Sequence, residues 1–143
     1  IMTLKNKGDI VQYTKFKADL EDYFDSLRYT FGDVRQPRIN VPTSFDEVCF
    51  AEFGAYGEEV DVSDAVMAGE IMTQSSNVFL RKNGETESWF YVGRIVVVNS
   101  EFSKSLADGI ICSKTEAGMI RLRLKGTGNS VEVSFMKVFE NDE

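Results

Sequence analysis

Met119-Ile120-Arg121-Leu122-Arg123-Leu124-Lys125 alternates without a break. Ile120, Leu122 and Leu124 fall on one face, and Arg121, Arg123 and Lys125 on the other. A period of two residues marks a strand with one face in a core and the other in water. Gly126-Thr127-Gly128-Asn129 follows as a tight turn, and Val131-Glu132-Val133-Ser134-Phe135 then resumes the alternation, running to Val138. Two such runs joined by a Gly- and Asn-rich turn predict an antiparallel hairpin. The half-exposed pattern also argues against an all-parallel sheet, whose strands are apolar on both faces.

The same grammar extends toward the N-terminus. Asn77 to Arg81 reads as a strand, Asn83-Gly84 as a hairpin turn, and Ser88 to Val92 as the returning strand. Arg94 to Val98 follows after Gly93, residues 99–109 read as polar loop, and Ile110 to Lys114 is a strand turned by Ala117-Gly118. Phe45 to Phe53 reads as a strand around Cys49. Val34 to Pro42 is extended and kept at an edge by Pro37 and Pro42, which have no N–H to donate. Residues 54–61 read as loop, and Ser63 to Met72 as a short helix with Ser63 as N-cap.

Before Gly32 the period changes. Tyr13, Phe16, Leu20, Tyr23, Leu27 and Phe31 recur every three or four residues, which predicts a helix over 9–31. Asp9 fits its N-cap, with Gln12 in the capping-box position, and Gly32 fits the left-handed residue past its end. The expected fold class is therefore α+β, a long N-terminal helix packed on an antiparallel β-sandwich or barrel-like sheet. Residues 1–33 form the helix, as stem and packing helix, and 34–143 the β domain, in one globular unit. The C-terminal half of the helix, Leu20 to Phe31, is expected to pack on the β domain. The N-terminal half is expected to project and self-associate, making Tyr13, Phe16 and Leu20 the residues through which a protein partner or second copy would bind.

The chain has 143 residues, 43% of them apolar, which is enough for one domain to fold without a metal. No apolar run approaches the roughly 20 residues of a membrane-spanning helix. Its net charge is −7, and the excess is local, with residues 34–70 alone carrying −6. Such a chain is a poor match for nucleic acid or an anionic membrane, where cationic side chains supply most of the affinity. There is no histidine, which removes His-based triads, His general bases and the commonest transition-metal ligand. Ser134 and Lys137 have Ser-x-x-Lys spacing, but on a strand rather than the helix that would bring them together. The reading is of a non-enzyme with no cofactor and no assigned metal.

Two features remain as a ligand or interaction surface. The acidic segment contains Glu52, Glu58, Glu59, Asp61, Asp64 and Glu70, a set of oxygen ligands suited to calcium, although the spacing matches no EF-hand and equally describes a solvated acidic face. Trp89, Phe90 and Tyr91 are consecutive on a strand, so alternation places Trp89 and Tyr91 on one face. Left open, that face suits a sugar ring or a protein partner; otherwise the long helix covers it. Cys49 and Cys112 belong to no CxxC pair. They read either as reduced core residues or as a disulfide across the β core, closing a loop of about 64 residues and worth about 4 kcal/mol in the chain-entropy account.

Ile39-Asn40-Val41-Pro42, leading into Val48-Cys49-Phe50, then Asn77-Val78-Phe79-Leu80, Cys112, Gly118-Met119-Ile120-Arg121-Leu122 and Gly126-Thr127-Gly128, form a diffuse pattern over residues 39–133. In this the chain resembles the ectodomains of uncharacterised archaeal membrane-anchored, pilin-like cell-surface proteins. The resemblance implies that Cys49 and Cys112 pair outside the cytoplasm and that a hydrophobic anchor preceded Ile1. A true start at Met2 would instead make the protein cytoplasmic. The expected function is a non-catalytic extracytoplasmic domain, structural or adhesive. The alternative is a β module that binds calcium or carbohydrate.

Overall fold

The computed structural model describes residues 7–53 and 64–139. Helix α1 spans Lys7–Arg28, and α2 spans Ala65–Met72. The strands are β1 Val34–Arg35, β2 Arg38–Asn40, β3 Glu47–Ala51, β4 Val78–Lys82, β5 Glu85–Phe90, β6 Ile95–Val97, β7 Lys104–Ala107, β8 Ile110–Lys114, β9 Met119–Gly126 and β10 Val131–Met136. The α+β class with a helix packed on antiparallel sheets is thus as expected.

The strands form two five-stranded sheets. In the first, the β9–β10 hairpin is central, with Leu124 opposite Val133 and Leu122 opposite Phe135. The other side of β9 takes β1 and then β2, separated at Pro37. β6 closes the far edge, running parallel to β10 with Ile95 opposite Val131. This single parallel pair departs from the antiparallel reading, because Gly93 carries the chain from one sheet to the other instead of turning it back. The second sheet runs β5-β4-β3-β8-β7. β7 lies within the stretch read as loop; Lys104 and Ser105 are exposed, so this edge strand has no alternation to betray it.

The two sheets and α1 share one apolar core. Tyr13, Phe16, Leu20, Phe24 and Leu27 of α1 meet Ile120, Leu122, Leu124, Val133 and Phe135 from the first sheet and Val48, Phe50, Leu80 and Phe90 from the second. Phe50 is its hub, with ring centroids 6.2 Å from Phe24 and 5.6 Å from Phe135. The projecting stem is corrected. Tyr13 and Phe16 both make edge-to-face contacts with Phe90, and Tyr13, Phe16 and Leu20 are buried, so they are used inside the fold rather than on a free face. Burial raises the Tyr13 phenol above its ordinary pKa, with the Glu21 charge adding to the shift.

The stripe itself is also re-phased. Phe24, four residues after Leu20, is fully buried, while Tyr23 is only partly so. Phe31 is 81% exposed because the helix has ended at Arg28 and its period no longer applies. Asp9 and Gln12 fasten the helix to the β2–β3 loop instead of forming a capping box. The Ser44 hydroxyl donates to Asp9 Oδ1 at 3.0 Å, and the Thr43 N–H donates to Gln12 Oε1 at 2.9 Å. At the other end the helix runs against the β9–β10 turn. A Cβ on Gly126 would stand 2.2 Å from the carbonyl oxygens of both Leu27 and Thr30, so only glycine allows this approach.

Candidate functional site

The second sheet is covered on both faces, which is why every residue of β3 is buried. Val48 and Phe50 point into the shared core, while Cys49 and Ala51 point outward into a second, smaller cluster with Met67, Ile71, Phe79, Ile110 and Cys112. Helix α2 lies over this outer cluster, contributing Met67 and Ile71. Cys49 and Cys112 are direct cross-strand partners on β3 and β8, with Cα atoms 4.0 Å apart, and are joined by a disulfide. The bond therefore ties neighbours within one sheet rather than bridging the core between sheets. Register brings together two residues 63 apart in sequence, which neither residue's local context encodes.

Asp64 anchors α2. Its Oδ1 accepts from the Met67 N–H at 3.1 Å, so Asp64 caps the helix; Ser63, the expected cap, lies outside the described residues. Its Oδ2 accepts from the Thr86 N–H at 2.9 Å and the Thr86 hydroxyl at 2.6 Å. Arg81 reaches Asp64 at 3.3 Å and Glu47 at 2.6 Å, and all three side chains are buried. Burial alone would raise the Asp64 carboxyl, but the Thr86 bonds, the Met67 N–H and the Arg81 guanidinium outweigh it and hold the pKa below its ordinary value. Asp64, one of the predicted calcium ligands, thus spends its oxygens inside the fold. Glu58, Glu59 and Asp61 lie outside the described residues. Among the described residues no cluster of acidic, Cys or His side chains is arranged to hold a metal.

Trp89 is partly buried against the outer cluster, while Phe90, on the opposite face, is the aromatic that α1 covers. Tyr91 lies just past the end of β5 and is 48% exposed. Its ring is parallel to that of Phe53, with centroids 6.0 Å apart. The two line a cleft of about 340 Å³ together with Glu52, Gln74, Asn77, Arg94, Ile95 and Val96. The polar walls are positioned from several elements. Glu52 Oε1 accepts from the Val97 N–H at 3.0 Å, occupying a donor on the β6 edge. Asn77 accepts from the Val92 N–H at 3.1 Å and donates to the Gly93 carbonyl at 2.7 Å, pinning the β5–β6 connection. Arg28 of α1 donates to the Val92 carbonyl from the other side.

No family model, curated protein or solved structure matches this chain. The site must therefore be read from its own geometry. A second groove, of about 610 Å³, runs beside Cys112 and is lined by Glu47, Arg81, Lys104 and Lys114. Its central cation, Arg81, is already committed to Glu47 and Asp64. The cleft at Tyr91 combines an accessible aromatic ring with groups of both charges. Tyr91 was recognisable in the sequence as an aromatic on a strand. Glu52 was noted only as a member of the acidic segment. Phe53, Gln74 and Arg94 carried no signal, because three separate chain segments bring them together.

Proposed function

We propose that this chain is a non-catalytic extracytoplasmic domain of a cell-surface protein, structural or adhesive in role. The observation that carries the reading is the Cys49–Cys112 disulfide, both of whose residues are fully buried beneath α2. Structural disulfides persist in oxidising compartments and are rare in the cytosol of mesophiles. A sequence without histidine supports the non-catalytic part of the proposal. The resemblance of residues 39–133 to pilin-like archaeal ectodomains points the same way. Native protein should be trapped with a thiol-alkylating reagent at the moment of lysis and weighed without reduction. The expected result is an unalkylated chain lighter by two hydrogens than the dithiol; two alkylated cysteines would overturn the extracytoplasmic assignment. A ligand-binding β module, for calcium or carbohydrate, is the second reading, and the aromatic cleft favours its carbohydrate form.

A further inference from the structure

One end of the sandwich gathers the termini of several elements. Here α1 stops, β9 turns into β10, β5 passes to β6, and β3 and α2 both end. Three bonds establish the neighbourhood. Arg28 donates to the Val92 carbonyl, the Gly32 N–H donates to the Gly126 carbonyl at 2.9 Å, and the Val131 N–H donates to the Arg94 carbonyl at 3.2 Å. Tyr29 and Phe31, at 75% and 81% exposed, lie at this same end. Loop clusters at the ends of sandwiches are free of the strand ladder's constraints and are where such folds carry recognition.

The geometry points to a glycan-binding site in this end, with its principal subsite in the cleft beside Tyr91. The inference deepens the adhesive reading above and rests on it for the kind of ligand met at a cell surface. A pyranose offers an apolar C–H face and a rim of hydroxyls that both donate and accept. The cleft has the complementary parts. Tyr91 supplies a flat ring whose orientation is braced by Phe53, so little rotamer freedom remains to be lost on stacking. Glu52 supplies a carboxylate fixed through one oxygen by the Val97 N–H, leaving acceptor capacity on the group. Arg94 supplies donors, and Gln74 supplies both.

Gln74 also has a left-handed backbone, with φ of 56°, where glycine is the usual residue. A glutamine there costs backbone energy but places an amide at the cleft wall. The volume of about 340 Å³ lies at the small end of ligand pockets, suited to one or two rings. A membrane surface fits less well, since the chain is acidic and the cleft is lined by both Arg94 and Glu52 rather than presenting a cationic patch.

The test uses the oxidised full chain on an array of neutral hexose and N-acetylhexosamine oligosaccharides, followed by calorimetric titration with tetrasaccharides from the responding class. Binding should weaken by about tenfold or more in Tyr91→Ala and survive within about threefold in Tyr91→Phe, which keeps the ring. Tyr91 is half exposed, so Tyr91→Ala should melt with the wild type, and the far-UV spectrum checks that it is folded. No response at millimolar glycan, or binding that Tyr91→Ala leaves unchanged, would overturn the proposal. So would saturable binding of anionic vesicles through Tyr91 without glycan binding. These outcomes are independent of the thiol-trapping result. An oxidised protein that ignores glycans sinks only the glycan site, and free thiols sink only the compartment.

Discussion

The two faces of the second sheet solve the same problem by different means. On the inner face, Val48, Phe50, Leu80 and Phe90 meet a whole second sheet and the 22-residue helix α1. On the outer face, among the described residues, the eight-residue α2 is the helix that covers Cys49, Phe79 and Cys112, with Phe53, Trp89 and Leu106 packed against the same cluster. The inner layer is apolar except for Ser88, buried opposite Leu80 and facing Tyr13, and it needs no cross-link. The outer layer adds a disulfide and a buried Arg81 shared between Glu47 and Asp64. A helix of two turns is unstable alone and buries little area, so it must be held by specific bonds. Buried ion pairs add little net stability, because desolvation offsets most of the attraction; their consequence here is to specify where α2 docks.

The strongest way to break this comparison is to hollow the inner layer. Phe50→Ala removes the ring between Phe24 and Phe135 and should cost about 3–5 kcal/mol in urea unfolding. A loss below about 1 kcal/mol would show that the inner layer does not dominate the fold. Next is the outer staple. Cys49→Ala with Cys112→Ala should cost about 2–4 kcal/mol. Hydrogen exchange sharpens the contrast, since α2 amides should lose protection while α1 amides largely keep theirs. Equal loss in both would make the two layers one cooperative unit.

The smallest effect belongs to the cap. Asp64→Ala should cost about 1–2 kcal/mol at neutral pH, measured by thermal or urea unfolding. Because the native Asp64 pKa is lowered, its contribution is present above the unfolded-state value of about 3.9 and is lost as pH falls through the native value. The gap between wild type and Asp64→Ala should therefore narrow in acid. A gap that stays constant to low pH would show that the carboxylate's charge is not what holds α2.

The strands that were legible share a feature. β9 and β10 each have one covered and one open face, so their burial alternates as their polarity does. β3 was visible as a continuous apolar stretch around Cys49, but the cause of that continuity, cover on both faces, was not. The phase of α1 was nearly right; Tyr23 and Phe24 are adjacent aromatics, and only contact with Phe50 selects Phe24. Of the candidate site, the sequence marked Tyr91. It could not mark Phe53 or Arg94, since an isolated phenylalanine or arginine gains meaning only from its neighbours in space.

What the sequence determined by itself is local. Period-two runs became strands, and the spacing of aromatics became a helix. Asn83-Gly84 turned in the left-handed region, with φ of 52° and 81°. These depend on side-chain periodicity and backbone sterics over a few residues, which any chain segment carries with it. Tertiary structure decided the rest. It paired Cys49 with Cys112, ran β6 parallel to β10, drew Tyr13 and Phe16 into the core and assembled the cleft at Tyr91. Each depends on which surfaces meet across tens of residues. That choice is made by the summed burial of two sheets and a helix together, and no single segment encodes it.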